Sequence, residues 1–144
     1  GCSAFEAWSE IAGSKRLLPN RSPLRDEYRG KVAAAQAEGA LGSARSYVWE
    51  VIGELWETLV AGDEPSVEQR SRLALMIVHT HRAAKHAVDL ACEAVGADAL
   101  YRGHPLERIR RDAIALGSHL VHQRKSLAAA GSSVLGGDPG PVYF

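Results

Sequence analysis

The chain has 144 residues, enough for one domain that buries about two thirds of the surface its unfolded form would expose. Hydrophobic residues make up 46% of it, which excludes an intrinsically disordered chain. Its 17 basic and 17 acidic side chains cancel, so no net charge draws it to nucleic acid or to an anionic membrane.

Helical periodicity dominates the first half of the chain. A short helix over about 3–14 comes first, and we expect its beginning to lie upstream of this sequence. Ser22 followed by Pro23 is typical of a helix start, and apolar residues at helical spacing continue to about residue 61. Four glycines weaken this helix and indicate either close packing by a neighbouring helix or a break near its start. They are Gly30, Gly39, Gly42 and Gly53.

Two further long helices are predicted in the second half. After a turn at 61–66, Ser66 and Gln69 form a capping-box pattern at the start of a helix over 67–95, which ends at Gly96. The third long helix is predicted from Pro105 to about residue 130, and a Gly- and Pro-rich tail at 131–144 is expected to be irregular. Together these elements predict one all-α domain, an up-down four-helix bundle over residues 1–144.

Cysteine content and hydropathy indicate a cytoplasmic protein. Two cysteines do not form a disulfide framework, and no run of about eighteen apolar residues predicts a membrane span. The first residues, GCSAFEAWSE, lack the order of a signal peptide. We therefore expect neither a membrane nor a nucleic acid as partner.

Two titratable residues share one face of the predicted third long helix. Asp112 and His119 are seven residues apart, almost two turns, which places them on one stripe about 10 Å apart along the axis. The stripe is either part of the core or the edge of a site. Periodicity alone favours a structural role for His119, and more strongly for His122. Arg108 and Asp112 have the spacing of a helical ion pair.

Several kinds of site are disfavoured because the sequence lacks the patterns typical of them. No glutamate is followed three residues later by histidine, as a two-metal carboxylate bundle requires. His79, His81 and His86 lie on one helix without converging carboxylates, so we expect no metal site. No glycine-rich phosphate loop is present, and no serine has the sequence of a nucleophile elbow.

The order R-x-x-R-D, six residues and then histidine, at 108–119, is preceded by a helix ending AVG and by a P-L-x-R start at 105–108. This order resembles the C-terminal domain of acyl-CoA dehydrogenase-like flavoproteins. The segments FEAWSEIAGSKR and SRLALMIVHTHRAAKHAVDLACEAVG resemble its first and third helices, so the resemblance covers most of the chain. It implies a four-helix bundle that belongs to an oxidoreductase.

Position 119 bears on which branch of the family the chain resembles. The commonest acyl-CoA dehydrogenases carry a glutamate base followed by Gly-Thr just after the Arg-Asp segment, where this chain has Ser118, His119 and Leu120. Histidine there is similar to the monooxygenase branch, which oxidises aromatic substrates with reduced flavin from a separate reductase. The resemblance implies that His119 is the catalytic residue, because imidazole can accept a proton near neutral pH. An acyl-CoA dehydrogenase whose base lies elsewhere remains the alternative.

The same resemblance implies a binding site for FAD or FMN. The turn after the third of its helices would approach the flavin with backbone groups, basic residues after the first helix would lie near the cofactor phosphates, and the Arg-Asp pair would lie close to the cofactor. The alternative for the basic pair is two exposed charges in a loop, and for Asp112 a structural partner of Arg108. The implied cofactor-binding residues are Val95, Gly96, Ala97, Asp98, Lys15, Arg16, Arg111 and Asp112.

The resemblance also implies partners. Members of the family are much longer and have an N-terminal helical domain and a small β domain, so we expect this chain to be a fragment that is inactive alone. Apolar faces around Trp49, Trp56 and Val88 would be buried between copies in a homodimer or homotetramer. The alternative from another class is a helical oligomerisation module without chemistry.

Overall fold

The computed structural model describes residues 2–17 and 22–140, and in these ranges helices make up nearly all of the regular structure. The only strands there are two residues long each, β1 (Arg16–Leu17) and β2 (Ser22–Pro23), which pair antiparallel. Three short 3₁₀ helices cover Leu24–Asp26, Ala97–Leu100 and Leu120–His122. The all-α class predicted from the sequence is therefore confirmed. The helices are α1 (Cys2–Ser14), α2 (Tyr28–Val60), α3 (Val67–Val95), α4 (Pro105–Leu116) and α5 (Arg124–Val134).

Both predicted ends of α3 are confirmed. The Ser66 N–H donates to Gln69 Oε1 at 2.9 Å, and the Gln69 N–H donates to Ser66 Oγ at 3.1 Å. This reciprocal pair satisfies two backbone donors that the first turn of a helix leaves without partners. At the other end Gly96 has φ 83°, a conformation that favours glycine and ends the helix after Val95.

The predicted start of the first long helix at residue 23 is wrong, because the α-helix begins at Tyr28. Ser22 belongs to β2, and its hydroxyl hydrogen-bonds the Glu27 carboxylate instead of capping a helix. The Leu24 N–H donates to the Lys15 carbonyl at 3.0 Å. This contact with the end of α1 holds the chain in a 3₁₀ turn where local sequence favours an α-helix.

Gly30 explains the break near the start of α2. A Cβ at this position would lie 2.1 Å from the Leu24 carbonyl oxygen, so only glycine fits beside the 3₁₀ turn. At Gly39, Gly42 and Gly53 a Cβ would meet no described heavy atom within 4 Å. The described part of the chain therefore supplies no neighbouring helix that needs these three glycines.

The predicted third long helix over 105–130 is also wrong, because the structure breaks it into α4 and α5. The His119 N–H donates to the Leu116 carbonyl at 3.0 Å, a tighter turn than an α-helix makes. Gly117 and Ser118 are weak helix formers, and Leu116 is exposed, so little buried apolar surface favours continuing the helix. α5 then continues to Val134, so the irregular tail begins later than predicted; residues 141–144 lie outside the described part.

The chain divides into two compact units, each with a hydrophobic core. Unit 1 comprises Gly1–Gly42 and Ala83–Ala115, and unit 2 comprises Ser43–Arg82 and Leu116–Phe144. In unit 1 Leu24 is 0% exposed and Leu106 is 1% exposed, and Val88 is buried with them, so its predicted place between copies is wrong. The core of unit 2 is smaller and centres on Val51, Leu55 and Met76.

Candidate functional site

The predicted site residues fall in both compact units. The residues predicted to bind the cofactor all belong to unit 1, on the end of α1, the turn after α3, and α4. His119 belongs to unit 2, on the connector between α4 and α5. Each group is described within its own unit.

The turn after α3 offers accessible backbone. Val95 is buried and fixes the end of the helix, while Ala97 and Asp98 are exposed. Gly96 has a positive φ, and a Cβ built there would meet no described heavy atom within 4 Å. The Ala99 N–H donates to the Gly96 carbonyl at 3.0 Å and orders the turn. This arrangement permits a close approach of a ligand to the backbone, which is the role the sequence predicted for it.

Two of the predicted cofactor-binding residues contact each other. The Lys15 ammonium, at the end of α1, forms an ion pair with the Asp98 carboxylate, which is largely exposed. The hydrogen bond from Lys15, and then its charge, lower the pKa of Asp98. The stabilising contribution of the pair is therefore present at neutral pH and is lost only as the pH falls through the lowered pKa. Arg16, the next basic residue, is exposed.

An anionic ligand at the end of α1 would compete with Asp98 for the Lys15 ammonium group. We expect Asp98→Asn to strengthen binding of FMN about fivefold at low salt, because Lys15 is then available to the phosphate. Fluorescence titration with FMN at low and high salt measures this change. Asp63→Asn, in the turn after α2, is the control because it removes the same charge from an exposed position. Equal affinities of the two variants would contradict the prediction.

Helix α4 is fixed to α3 by a partly buried ion pair. The Arg110 Nε donates to Asp89 Oδ1 at 2.9 Å, and Lys85 contacts the second oxygen of the same carboxylate. Burial by itself would raise the pKa of Asp89, but the hydrogen bonds and charges of these two cations lower it overall. This contact sets the rotation of α4, so Arg111 and Asp112 are exposed.

Arg111 and Asp112 each pair along α4 with the residue four positions earlier. The distance from Arg111 Nη1 to Glu107 Oε1 is 3.5 Å, and from Arg108 Nε to Asp112 Oδ2 it is 3.8 Å. The predicted Arg108–Asp112 ion pair is thereby confirmed. Arg108, Arg111 and Asp112 are largely exposed and Glu107 is partly buried, so both pairs add little to stability and the exposed side chains can change partners.

A cleft of about 600 Å³ lies at the start of α4. Basic side chains of His104, Arg108 and Arg111 line it, together with the carboxylate of Glu107. The His104 Nδ1 accepts the Leu106 N–H at 3.2 Å, which orients this imidazole at the helix N-terminus. A basic cleft of this kind suits an anionic group.

His119 does not lie on a helical stripe with Asp112, because α4 ends before it. It precedes the 3₁₀ turn Leu120–His122, its side chain is exposed, and its carbonyl accepts the His122 N–H at 3.0 Å. The residues around it on the connector, 117–123, include no carboxylate. Among residues 117–123, the imidazoles of His119 and His122 are therefore the only acid–base side chains.

The structure also brings together two histidines whose pairing the sequence analysis missed. The ring centroids of His81 on α3 and His122 on the connector are 4.4 Å apart, and the rings are tilted by 35°. The sequence carried no signal for this contact, because helical periodicity relates residues within one helix only. Within the described residues, no group of three or more His, Cys, Asp or Glu side chains is arranged to hold a metal ion.

These features belong to a known class of helical domain. Residues 2–124 match the model of the acyl-CoA dehydrogenase C-terminal domain, and the chain belongs to this family of flavoproteins. The family expected from the sequence is thereby confirmed. None of the helices in the described residues is long and apolar enough to cross a membrane.

Three relatives have names that describe an activity. An indole-3-acetate monooxygenase of Pseudomonas putida is 30% identical over 142 residues, which are 99% of this chain and 36% of the relative. An indole-3-acetate monooxygenase of Acinetobacter baumannii is 24% identical over 142 residues, which are also 99% of this chain and 36% of the relative. A pigment production hydroxylase of Rhodococcus erythropolis is 30% identical over 88% of this chain and 33% of the relative. The chain thus spans about a third of the length of these relatives.

Proposed function

We propose that this chain is the C-terminal domain of a reduced-flavin-dependent monooxygenase that oxidises an aromatic substrate. The observation that carries the proposal is His119, an exposed imidazole on a connector without carboxylates, in the segment where the commonest acyl-CoA dehydrogenases carry glutamate. The names of the three relatives, two monooxygenases of indole-3-acetate and one hydroxylase, support the same reaction class.

The residues of unit 1 suit a flavin. The open backbone at Gly96 permits the approach of a planar ring system, and Lys15, Arg16 and Arg111 provide cations for a phosphate group. FAD and FMN can both make these contacts, because both contain the same ring system and at least one phosphate. When bound, the flavin supplies the electrons and reacts with oxygen.

In this proposal His119 acts as the proton acceptor. An aromatic substrate with a hydroxyl or ring N–H gives up a proton as it is oxidised, and a neutral imidazole accepts it within hydrogen-bond distance. The exposed position of the side chain leaves it accessible to a substrate. No carboxylate on the connector competes for this role.

The experiment that tests the reaction class uses the complete protein that contains this chain. Supplied with reduced flavin, isotopically labelled molecular oxygen and an indole or phenol, a monooxygenase transfers one labelled oxygen atom to the product. An acyl-CoA dehydrogenase instead bleaches its bound flavin when an acyl-CoA is added without oxygen. Bleaching without label transfer would establish the alternative, and neither signal would favour a helical module without chemistry.

The greater length of the relatives supports the presence of further domains in the proposed enzyme. We infer that an N-terminal helical domain and a β domain complete the flavin and substrate pocket, and that a separate reductase supplies the reduced flavin. The isolated chain should then show no turnover, because it lacks the domains that complete such a pocket. Turnover by the isolated chain would contradict this inference.

An exposed apolar stripe on α2 supports assembly with a second copy of the chain. Trp49 is 71% exposed and Trp56 is 67% exposed, although both are large and apolar. With three neighbours they cover an arc of about 100° of the helix, a continuous apolar face. Such a face is commonly buried between subunits. The members of the stripe are Trp49, Ile52, Trp56, Leu59 and Val60.

Replacing one stripe residue with a charged residue tests the assembly. We expect Trp56→Glu to convert a dimer or tetramer into smaller species in sedimentation velocity, because a buried carboxylate without a partner is costly. Tyr28→Glu is the control, since Tyr28 is also on α2 and exposed but lies outside the stripe. Identical sedimentation of Trp56→Glu and the unaltered protein would refute the interface.

A further inference from the structure

Three imidazole rings lie close together in unit 2. His122 on the connector contacts His81 on α3, with 4.4 Å between ring centroids. The ring of His119 lies 6.3 Å from that of His122 and is inclined to it by 66°. The central ring of the three is therefore His122, which contacts a long helix on one side and the proposed catalytic residue on the other.

His122 is held by ring contact and not through its Nδ1. This atom is buried and has no hydrogen-bond partner among the described residues. Burial is the largest cause that lowers the pKa of His122, and the charges of His81 and His119 lower it further. In the described part of the chain no carboxylate contributes to the shift. Arg82 follows His81 directly and Arg124 lies two residues after His122, and both also carry positive charge.

The geometry of the His81–His122 pair favours the uncharged rings. Two stacked imidazoles contact each other well when neutral, whereas two imidazolium ions at this separation repel each other. Since the pKa of His122 is lowered, its ring stays neutral at neutral pH and gains a proton only in more acidic solution. The stability that the pair provides is accordingly lost as the pH falls below the ordinary histidine range.

The backbone links the pair to His119. The His122 N–H donates to the His119 carbonyl at 3.0 Å, and the His119 N–H donates to the Leu116 carbonyl at 3.0 Å. Of residues 117–123, only Gly117, Val121 and His122 are partly buried, and the ring contact of His122 with His81 joins this connector to α3. Fixing the ring of His122 therefore fixes the backbone from which the His119 side chain projects.

We propose that His122, stacked on His81, is a positioning residue that holds His119 in place for the reaction while its own ring is uncharged. The proposal rests on the proposed function for the role of His119. Protonation of His122 in acid releases the connector from α3, so His119 loses its position before the fold is lost. The acid limb of the activity profile then reports the protonation of His122.

The test compares a substitution that keeps an aromatic ring at position 122 with one that removes it. In the complete protein, His122→Phe keeps an aromatic contact with His81, and the new ring cannot be protonated. We expect this variant to retain kcat/KM at neutral pH within about threefold and to shift the acid limb to lower pH. His122→Ala removes the contact, and we expect about a tenfold loss of kcat/KM at every pH. His86→Phe is the control, because His86 lies on α3 outside the cluster.

A second readout does not depend on activity. Hydrogen exchange of the peptide containing residues 117–123, corrected for intrinsic rates, should accelerate as the pH falls below the histidine range in the unaltered protein and in His86→Phe, but not in His122→Phe. Exchange that is independent of pH, or the same in His122→Phe, would overturn the positioning role. If exchange behaves as expected while His119→Ala retains full activity, the pair anchors the connector but the catalytic role of His119 fails.

Discussion

Gly30→Ala is expected to destabilise the chain by about 2–3 kcal/mol, the largest loss of any single methyl addition to α2. The added Cβ would lie 2.1 Å from the Leu24 carbonyl oxygen and 3.2 Å from Leu24 Cγ. The Leu24 side chain is 0% exposed and its N–H is bonded to the Lys15 carbonyl, so the clash cannot be relieved by a small rotation. Either the 3₁₀ turn or the first turn of α2 has to shift.

The matched control for this substitution is Gly39→Ala in the same helix. A Cβ there meets no described heavy atom within 4 Å, so we expect a gain of up to about 1 kcal/mol from helix propensity. Urea unfolding followed by circular dichroism measures both changes. If Gly30→Ala is neutral or stabilising, the close approach of Leu24 to α2 is absent in solution. The Lys15 carbonyl accepts the Leu24 N–H. A shift of Leu24 in the variant should therefore displace Lys15 and weaken the proposed flavin binding.

Local signals were sufficient for the elements whose ends depend on nearby residues. The capping box at Ser66 and the glycine at 96 fix both ends of α3 by contacts within four residues, and both ends were predicted correctly. The start of α2 depends on a bond between Leu24 and Lys15, and the break after Leu116 depends on how little apolar surface is buried there. Helical periodicity in the sequence reveals neither this hydrogen bond nor the amount of apolar surface buried.

The candidate site also has features that local sequence predicts and features that it does not. The residue types and their order predicted the family, which is confirmed over residues 2–124. The Lys15–Asp98 ion pair and the His81–His122 ring contact join segments that are far apart in sequence, so no spacing rule could predict them. Each changes the chemistry of a predicted site residue: the first occupies a cation proposed to bind phosphate, and the second anchors the connector that carries His119.

His119→Ala is expected to lower substrate oxidation in the complete protein by about a hundredfold or more, because positioned acid–base groups contribute about 10²–10⁴ to such steps. The side chain is exposed, so its removal should leave the unfolding midpoint unchanged. Flavin oxidation by oxygen does not need the substrate proton acceptor and should continue. We therefore expect the ratio of product formed to flavin oxidised to fall.

This ratio separates the role of His119 from a general loss of structure. A damaged pocket would reduce flavin binding as well, whereas loss of the proton acceptor leaves FMN affinity unchanged and uncouples oxygen use from product formation. His86→Ala, a second exposed histidine, controls for the removal of an imidazole as such. If His119→Ala keeps the product ratio of the unaltered protein, His119 is not the proton acceptor. The reaction then requires a base outside this domain.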